Sequence, residues 1–255
     1  MQRLARWLAI LAVSAGSLAP APVALAQADD DWEFAEDAAL ELTVAAARYD
    51  AGVSIIAQCS RNKMTISLVG LPATTAPSRR LDATRSDGAV DAQTWEVREG
   101  GALSSSLPAR DGRFLRVGGE LRLRSAAGQT PSIAASFDLP TQHANLDRVL
   151  TACGYALEDD RDALPRADPD LRLARRPARG STGGRPGISH EISCIVRDGA
   201  YQACRTDRTT SGHSAGDARR GANGENGRRL HPDDAAANEG RVAYIFVPLL
   251  LVVYR

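Results

Sequence analysis

The chain has 255 residues, of which 44% are hydrophobic and 24% are charged, which is enough for one large domain or two small ones. Its 31 basic residues balance its 31 acidic residues, so the formal net charge is zero. This balance creates no overall field that would attract nucleic acid, and we expect no nucleic-acid partner.

The first 26 residues have the features of a cleavable secretory signal peptide. Arg3 and Arg6 give a positive start, and an apolar run follows from Trp7 to about Val13. Ala24-Leu25-Ala26 then forms a small-residue cleavage site immediately before Gln27. We therefore predict that this segment is removed and that the mature chain begins at Gln27.

An uncleaved membrane anchor is the alternative interpretation of the same segment. A helix that spans a bilayer needs about 20 apolar residues, whereas Ser14, Gly16, Ser17 and Pro20 interrupt this run. The short length favours cleavage over anchoring. We expect a periplasmic or secreted protein of the cell envelope.

Four cysteines, an even number in an exported chain, indicate disulfide bonds. Cys194 and Cys204 flank the turn signal at 197–200, so a hairpin with a three-residue loop would place them opposite each other. That pairing leaves Cys59 with Cys153. The sequence has no C-x-x-C pair and no Cys/His cluster, so we predict neither a metal nor a cofactor.

The region from 30 to 157 is predicted to be an antiparallel, β-rich domain. Residues 42–69 have the alternation of a three-stranded meander, and residues 73–92 are rich in polar and small residues, which favours a long exposed loop. Further strands are predicted at 94–97, 114–117, 121–123 and 132–139. One helix is predicted to end this domain, with Thr141 as its N-cap and Gly154 just beyond its last turn.

Residues 158–187 are predicted to be a linker, because they combine clustered aspartates, prolines and glycines with little apolar surface. Its basic residues suggest an alternative role, a peripheral contact with acidic lipid headgroups. These residues are Arg172, Arg175, Arg176 and Arg179. The composition favours a solvated linker.

A second, smaller unit is predicted at 188–255. Residues 188–196 and 201–206 form the predicted hairpin, and 207–229 is polar and rich in glycine. The apolar run at 242–254 is too short to span a bilayer as a helix and is typical of a buried strand, in which Pro248 must occupy a bulge or an edge. Membrane insertion of this tail is the alternative.

Four short motifs follow one another in this second unit. They are Cys194-Ile195-Val196-Arg197-Asp198-Gly199, Cys204-Arg205, Leu230-His231-Pro232 and Val242-x-x-x-Phe246-Val247-Pro248-Leu249. In this order they resemble the C-terminal domain of TonB-like energy transducers. The resemblance covers about a quarter of the chain and implies a small α+β unit that has a hairpin closed by a D-G turn, a helix and a final strand.

The chain also departs from that family's pattern. Glycines at 212, 216, 221, 224 and 227 occupy the region where the family has an amphipathic helix, and each costs a helix about 1 kcal/mol. We therefore do not expect a helix there. The family's proline-rich arm is also missing, and a cleaved signal peptide would remove a membrane tether, so the resemblance implies a docking fold without force transmission.

These patterns support two hypotheses about function within a mainly β, or α+β, protein. The first is a non-enzymatic module that binds an envelope or outer-membrane protein, with a role in transport, by adding a strand to a sheet edge. Its candidate partner-binding residues are Tyr244, Phe246 and Pro248. The second is an exported enzyme or small-ligand binder with its site near the loop at 73–92. No catalytic motif supports the second hypothesis, since His213 merely stands near serines in a polar stretch.

Overall fold

The computed structural model describes residues 30–174, 189–207 and 213–248, and the predicted signal peptide lies outside these ranges. The protein is mainly β, as predicted. A nine-stranded antiparallel sheet and a three-stranded sheet contain the strands of the described residues. Among those residues, no helix is long and apolar enough to cross a membrane.

The larger sheet is curled. Its spatial order is β1-β2-β3-β4-β7-β6-β5-β8-β9. Tyr49 follows β2 and Phe137 lies in β9, yet their ring centroids are only 4.9 Å apart, so the two ends of the sheet approach each other. The strands are Glu33–Asp37 (β1), Leu42–Arg48 (β2), Ser54–Ser60 (β3), Lys63–Val69 (β4), Ser78–Arg85 (β5), Val90–Val97 (β6), Leu103–Ser105 (β7), Gly119–Ser125 (β8) and Ala134–Leu139 (β9).

Two helices fill the core of this sheet, Pro108–Leu115 (α1) and Ala144–Ala152 (α2). Alternate residues of the strands face them, including the fully buried Ile55 and Ile66. Gly112 permits close packing of α1, because a Cβ at this position would lie 3.1 Å from Met64 Cε and 3.3 Å from Leu150 Cδ2. The helices and the concave face of the sheet therefore form one hydrophobic core.

The predicted meander and the first predicted disulfide are confirmed. Strands β2, β3 and β4 pair in sequence, and Cys59 in β3 is bonded to Cys153 at the end of α2. Gly154 follows with a φ of 74°, the left-handed conformation that closes many helices. The disulfide fixes α2 against the sheet across 94 residues of chain.

The long loop predicted at 73–92 is wrong, because most of it forms the hairpin of β5 and β6. Arg79, Leu81 and Ala83 are buried while the alternate positions face outward. A charged or small residue at an inward position weakens the alternation that identifies a strand from sequence. The turn between the strands has Gly88 at a φ of 85°.

Two predictions about helices also need correction. Residues 114–117 are not a strand, since Phe114 and Leu115 end α1, which begins at Pro108, a residue favoured in the first turn. Helix α2 begins after His143 and not at Thr141, whose hydroxyl donates to the carboxylate of Asp30. The N-terminal domain thus contains two helices where one was predicted.

The C-terminal unit is a three-stranded sheet in the order β11-β10-β12. Helix α3 packs on β10 and β11. The glycines led us to expect no helix there, but Ala218 and Ala222 are buried against the hairpin, and this packing outweighs the low helix propensity. The elements are Ser189–Arg197 (β10), Ala200–Thr206 (β11), His213–Glu225 (α3), Pro232–Ala237 (α4) and Val242–Pro248 (β12).

The second predicted disulfide, Cys194–Cys204, is confirmed, but the hairpin differs in detail. Its loop has two residues, Asp198 and Gly199, both at positive φ as a type I′ turn requires. A register shift then occurs between Ser193 and Ile195, with Ala203 at a φ of 48° on the opposite strand. This bulge, and not a three-residue loop, brings the two cysteines together.

The described part of the predicted linker, residues 158–174, makes defined contacts with the rest of the chain, although many of its residues are exposed to solvent. Arg161 is buried, and Pro165 and Ala167 form backbone hydrogen bonds with Val242. Arg172 pairs with Asp234 at 2.8 Å, so its charge is already engaged within the chain. The remaining basic residues proposed for lipid contact, Arg175, Arg176 and Arg179, lie outside the described residues.

Candidate functional site

One edge of strand β12 is the first feature of the candidate site. The N–H of Val242 donates to the carbonyl of Pro165 at 2.9 Å, and its carbonyl accepts from Ala167 at 2.8 Å. Backbone groups of alternate residues in a strand point to the same side, so those of Tyr244 and Phe246 point away from β10 as well. Among the described residues, no backbone group pairs with them. The outer edge of β12 is therefore open beyond Val242 in the described part of the chain.

A cleft of about 730 Å³ follows this edge. Four consecutive residues of β12, 243–246, line it. Consecutive side chains of a strand point to opposite faces. Because four consecutive residues line the cleft, it lies along the edge of β12 and not on one face. The β5–β6 hairpin supplies a wall with Arg80, Ala92 and Thr94, and residues 166–173 contribute Arg166, Asp168 and Leu171.

The three predicted partner-binding residues have different surroundings. Phe246 is 51% exposed, so the prediction of a continuously buried strand is wrong at this position. Tyr244 is half-buried, and its hydroxyl accepts a hydrogen bond from Arg110 at 3.2 Å. Pro248 is the last residue of β12, opposite Ser189, and its side chain lies outside the description. Its backbone is on the outward side by the same alternation, so its missing N–H breaks no bond to β10.

A buried ionic cluster joins the segment at 158–174, which pairs with Val242, to the N-terminal domain. Arg166 lies between Asp91 of β6 and Asp111 of α1 and donates to both carboxylates, with 2.8 Å from its Nε to Asp91. Asp111 also accepts from the hydroxyl of Ser105. All three charged side chains are less than a tenth exposed. Burial raises the pKa of Asp111 despite Arg166, and the two aspartates raise the pKa of Arg166 against the effect of its burial.

Arg110 extends this cluster to β12. Its guanidinium lies 5.7 Å from the ring centroid of Tyr244 and donates to the carbonyl of Leu164 at 2.8 Å. Its contact with Asp91 is longer, at 3.4 Å. The one side chain of Arg110 therefore links three elements, namely α1, the segment before Arg166 and the face of β12.

A second group of charged residues extends from α1 to strand β10. Arg113 of α1 pairs with Asp162 at 2.5 Å, and Arg161 donates to the backbone carbonyl and the hydroxyl of Ser193. That hydroxyl in turn donates to Asp207 at 2.5 Å. Burial raises the pKa of Asp207. Arg161 thus contacts β10 of the C-terminal unit, and Arg166 contacts two aspartates of the N-terminal domain. Residues 161–166 supply a cation to each side of the interface between these two parts of the chain.

Glu191 is a buried acid within this interface. It lies in β10 and is 7% exposed, and its Oε1 has no hydrogen-bond partner among the described residues. Burial, with a smaller contribution from the charge of Asp207, raises the pKa of Glu191 to about 8. Nearby Arg113 and Arg166 act in the opposite direction but do not cancel it. Glu191 is therefore protonated and neutral at pH 7.

The acids with raised pKa do not line the cleft. Asp111, Glu191 and Asp207 are buried in the interface, and the cleft contains none of them. No group of three or more metal-ligating side chains occurs in the part of the chain that the structure describes. The side chain of His213, which stands near serines in the sequence, lies outside that part.

Sequence reasoning found β12 and both disulfides but missed the cleft and the cluster. Asp91 and Arg166 are 75 residues apart, and the segment between 158 and 174 had the composition of a linker. The charged residues of this segment gave no periodic signal. The run Asp159-Asp160-Arg161-Asp162 was the one sign of ion pairing in this segment.

Comparisons with known proteins give no further assignment. No protein-family model matches the chain, and neither the curated proteins nor the solved structures searched contain a match.

The ionic cluster leads to a prediction about stability. Replacing Arg166 by Gln leaves Asp91 and Asp111 buried without their shared cation. We expect Arg166→Gln to lower the free energy of unfolding by about 3–5 kcal/mol, the usual loss when one partner of a buried pair is removed. Urea denaturation measures this loss.

The matched control is Arg172→Gln, which removes an exposed pair with Asp234 and should cost only a small fraction of that amount. Adding Asp91→Asn and Asp111→Asn to Arg166→Gln should recover part of the stability. Equal, small losses in both single variants would contradict the role of the cluster.

Glu191 leads to a prediction about pH. Because the pKa of Glu191 is higher in the folded state than its ordinary value of 4.5, protonated Glu191 contributes fully to the stability of the fold below pH 4.5. This contribution to stability is lost as the pH rises to about 8. Glu191→Gln mimics the neutral acid, so its advantage in stability over the unmodified protein should grow between pH 4.5 and 8 and then level off. Urea midpoints across this range measure the difference.

The control is Glu120→Gln, since an exposed partner, Arg122, lowers the pKa of Glu120 to about 2. This change should add no pH dependence between pH 5 and 8. A constant difference between Glu191→Gln and the unmodified protein would show that Glu191 ionises normally.

Proposed function

We propose that this protein is an exported, non-enzymatic interaction module that accepts an extended segment of an envelope protein as an additional strand beside β12. The observation that carries the proposal is the outward backbone of Tyr244 and Phe246 along the cleft. Each of these residues offers one N–H and one C=O to a neighbouring strand. Such an edge recognises a peptide through its main chain, and the surrounding pockets select its side chains.

The start of β12 supports this mode of binding. Residues 165–167 already pair with Val242 in parallel orientation and occupy the first position of the outer edge. A partner segment would continue the outer edge from Tyr244 onward. Because the ion pairs of Arg166 fix residues 165–167, this first position is set before the partner arrives.

The order of elements also supports the proposal. A hairpin with a D-G turn is followed by α3, by the short helix α4 and then by β12. Apart from α4, this is the order of elements that the resemblance to TonB-like C-terminal domains implies. We propose docking without energy transduction, because a cleaved signal peptide leaves no tether in that segment through which force could act.

An enzymatic role is less well supported by the same geometry. The raised-pKa acids that a catalytic site would use face the interface and not the cleft. The segment at 73–92, where an enzyme site was expected, is a hairpin that contributes only Arg80 and Ala92 to one wall. We therefore propose binding and not catalysis for this cleft.

Docking is tested with peptides. A phage library of random 12-residue peptides is selected on the mature chain, and affinities are measured by fluorescence anisotropy. Phe246→Pro removes an outward N–H without removing a bond to β10, so it should weaken selected peptides by roughly tenfold or more. Phe246→Ala retains that N–H and should bind more strongly than Phe246→Pro.

Val90→Ala is the control for nonspecific apolar binding, because Val90 is 66% exposed and does not line the cleft. It should leave affinity unchanged. Selected peptides that bind Phe246→Pro as tightly as the unmodified chain would contradict docking at this edge.

Export is proposed from residues 1–26, and the two disulfides fit an oxidising compartment outside the cytoplasm. N-terminal sequencing of the protein from the cell envelope should begin at Gln27. Ala26→Lys should block this cleavage, since the site requires a small residue. A protein that retains Met1, or that is found with both cysteine pairs reduced, would contradict the export proposal.

A further inference from the structure

We infer that the segment which docks beside β12 is acidic, with carboxylates placed among apolar residues. This inference rests on the proposed function and adds the chemistry of the partner. Four arginines line the cleft, namely Arg80, Arg166, Arg228 and Arg241, against two acids, Asp168 and Glu225.

Two of the four arginines are neutralised within the chain. Arg166 lies between Asp91 and Asp111. Arg228 donates from Nη1 to both carboxylate oxygens of Glu225. Both guanidiniums are therefore already paired with carboxylates. A ligand would gain little by competing for them.

The other two arginines have no carboxylate partner among the described residues. Arg241 uses one nitrogen, Nη1, to donate to the backbone carbonyl of Arg166 at 3.1 Å, and Arg80 makes no ion pair there. Both side chains are exposed. A guanidinium presents a planar fork of donors that matches a carboxylate, so two such forks favour an acidic ligand.

The two cations stand at separate parts of the cleft. Arg80 belongs to β5 on the wall formed by the nine-stranded sheet, whereas Arg241 immediately precedes β12. Leu107, Leu171 and Ile245 line the space with apolar surface. A single compact anion would reach one fork, but an extended segment with carboxylates on different residues can reach both.

Asp168 is the one cleft acid without an ion pair among the described residues, and its Oδ1 accepts from the N–H of Asp170. Its negative charge offsets one of the two positive charges of Arg80 and Arg241, so the cleft retains a net excess of one positive charge. The charge complementarity is therefore local to Arg80 and Arg241, and it does not arise from the net charge of the chain, which is zero.

The chain's own neighbouring segments do not have this chemistry. Residues 175–188 contain four arginines and no acid, and residues 249–255 contain no acidic side chain. The acidic start of the mature chain is already engaged where it is described, because Asp30 and Asp31 accept hydrogen bonds from Thr141 and Asn145. Charge therefore favours a partner in trans over self-docking.

The test uses the peptides selected on the mature chain. We expect Asp and Glu to be enriched over their frequency in the unselected library. The double variant Arg80→Gln/Arg241→Gln should weaken the best acidic peptide by about tenfold or more, since each lost contact is charge-assisted. Raising the salt concentration from about 50 to 500 mM should weaken binding to the unmodified chain far more than to this variant.

Arg124→Gln is the matched control, because Arg124 is an exposed arginine of β8 outside the cleft, and it should leave affinity unchanged. Selected peptides that are sensitive to Phe246→Pro but carry no excess of acids, and bind the double variant equally well, would overturn the acidic inference and leave docking intact. A library that yields only peptides insensitive to Phe246→Pro, or yields none, would overturn both.

Discussion

Arg166 places its guanidinium between Asp91 and Asp111, where all three side chains are buried between a sheet, a helix and a crossing segment of chain. Each carboxylate would be costly to bury alone, so the arrangement is stable only when Arg166 is in position. The same residue lies beside Pro165 and Ala167, which bind Val242 through the backbone. The ionic contact therefore fixes the place at which β12 begins relative to the first unit.

The open edge of β12 follows from this anchoring. Residues 165–167 cover Val242 but leave the outward groups of Tyr244 and Phe246 unpaired in the described residues. Arg110 holds the ring of Tyr244 against α1, whereas Phe246 is half exposed. An unpaired edge is usually a liability for aggregation. The cleft beside it contains Arg80 and Arg241, which have no carboxylate partner among the described residues, and they are the basis for the acidic partner we infer.

The sequence was informative where alternation and spacing were regular. The meander around Ile55 and Ile66 and the pairing of Cys59 with Cys153 were predictable, because apolar periodicity and chain turns are local properties. The hairpin of β5 and β6 was missed because Arg79 and Asp91 occupy inward positions. Helix α3 was missed because buried Ala222 gains its stability from tertiary packing. The cleft was not predictable, since it depends on contacts between residues far apart in the chain.

Amide hydrogen exchange along β12 tests the open edge most directly, because exchange depends on whether each N–H is bonded. We predict an alternating profile, with slow exchange at Ala243 and Ile245, which face β10, and fast exchange at Tyr244 and Phe246. Val242 should be slow, since its N–H is bonded to Pro165. Slow exchange at Tyr244 and Phe246 in the free protein would mean that another segment already covers this edge, and would contradict the docking site.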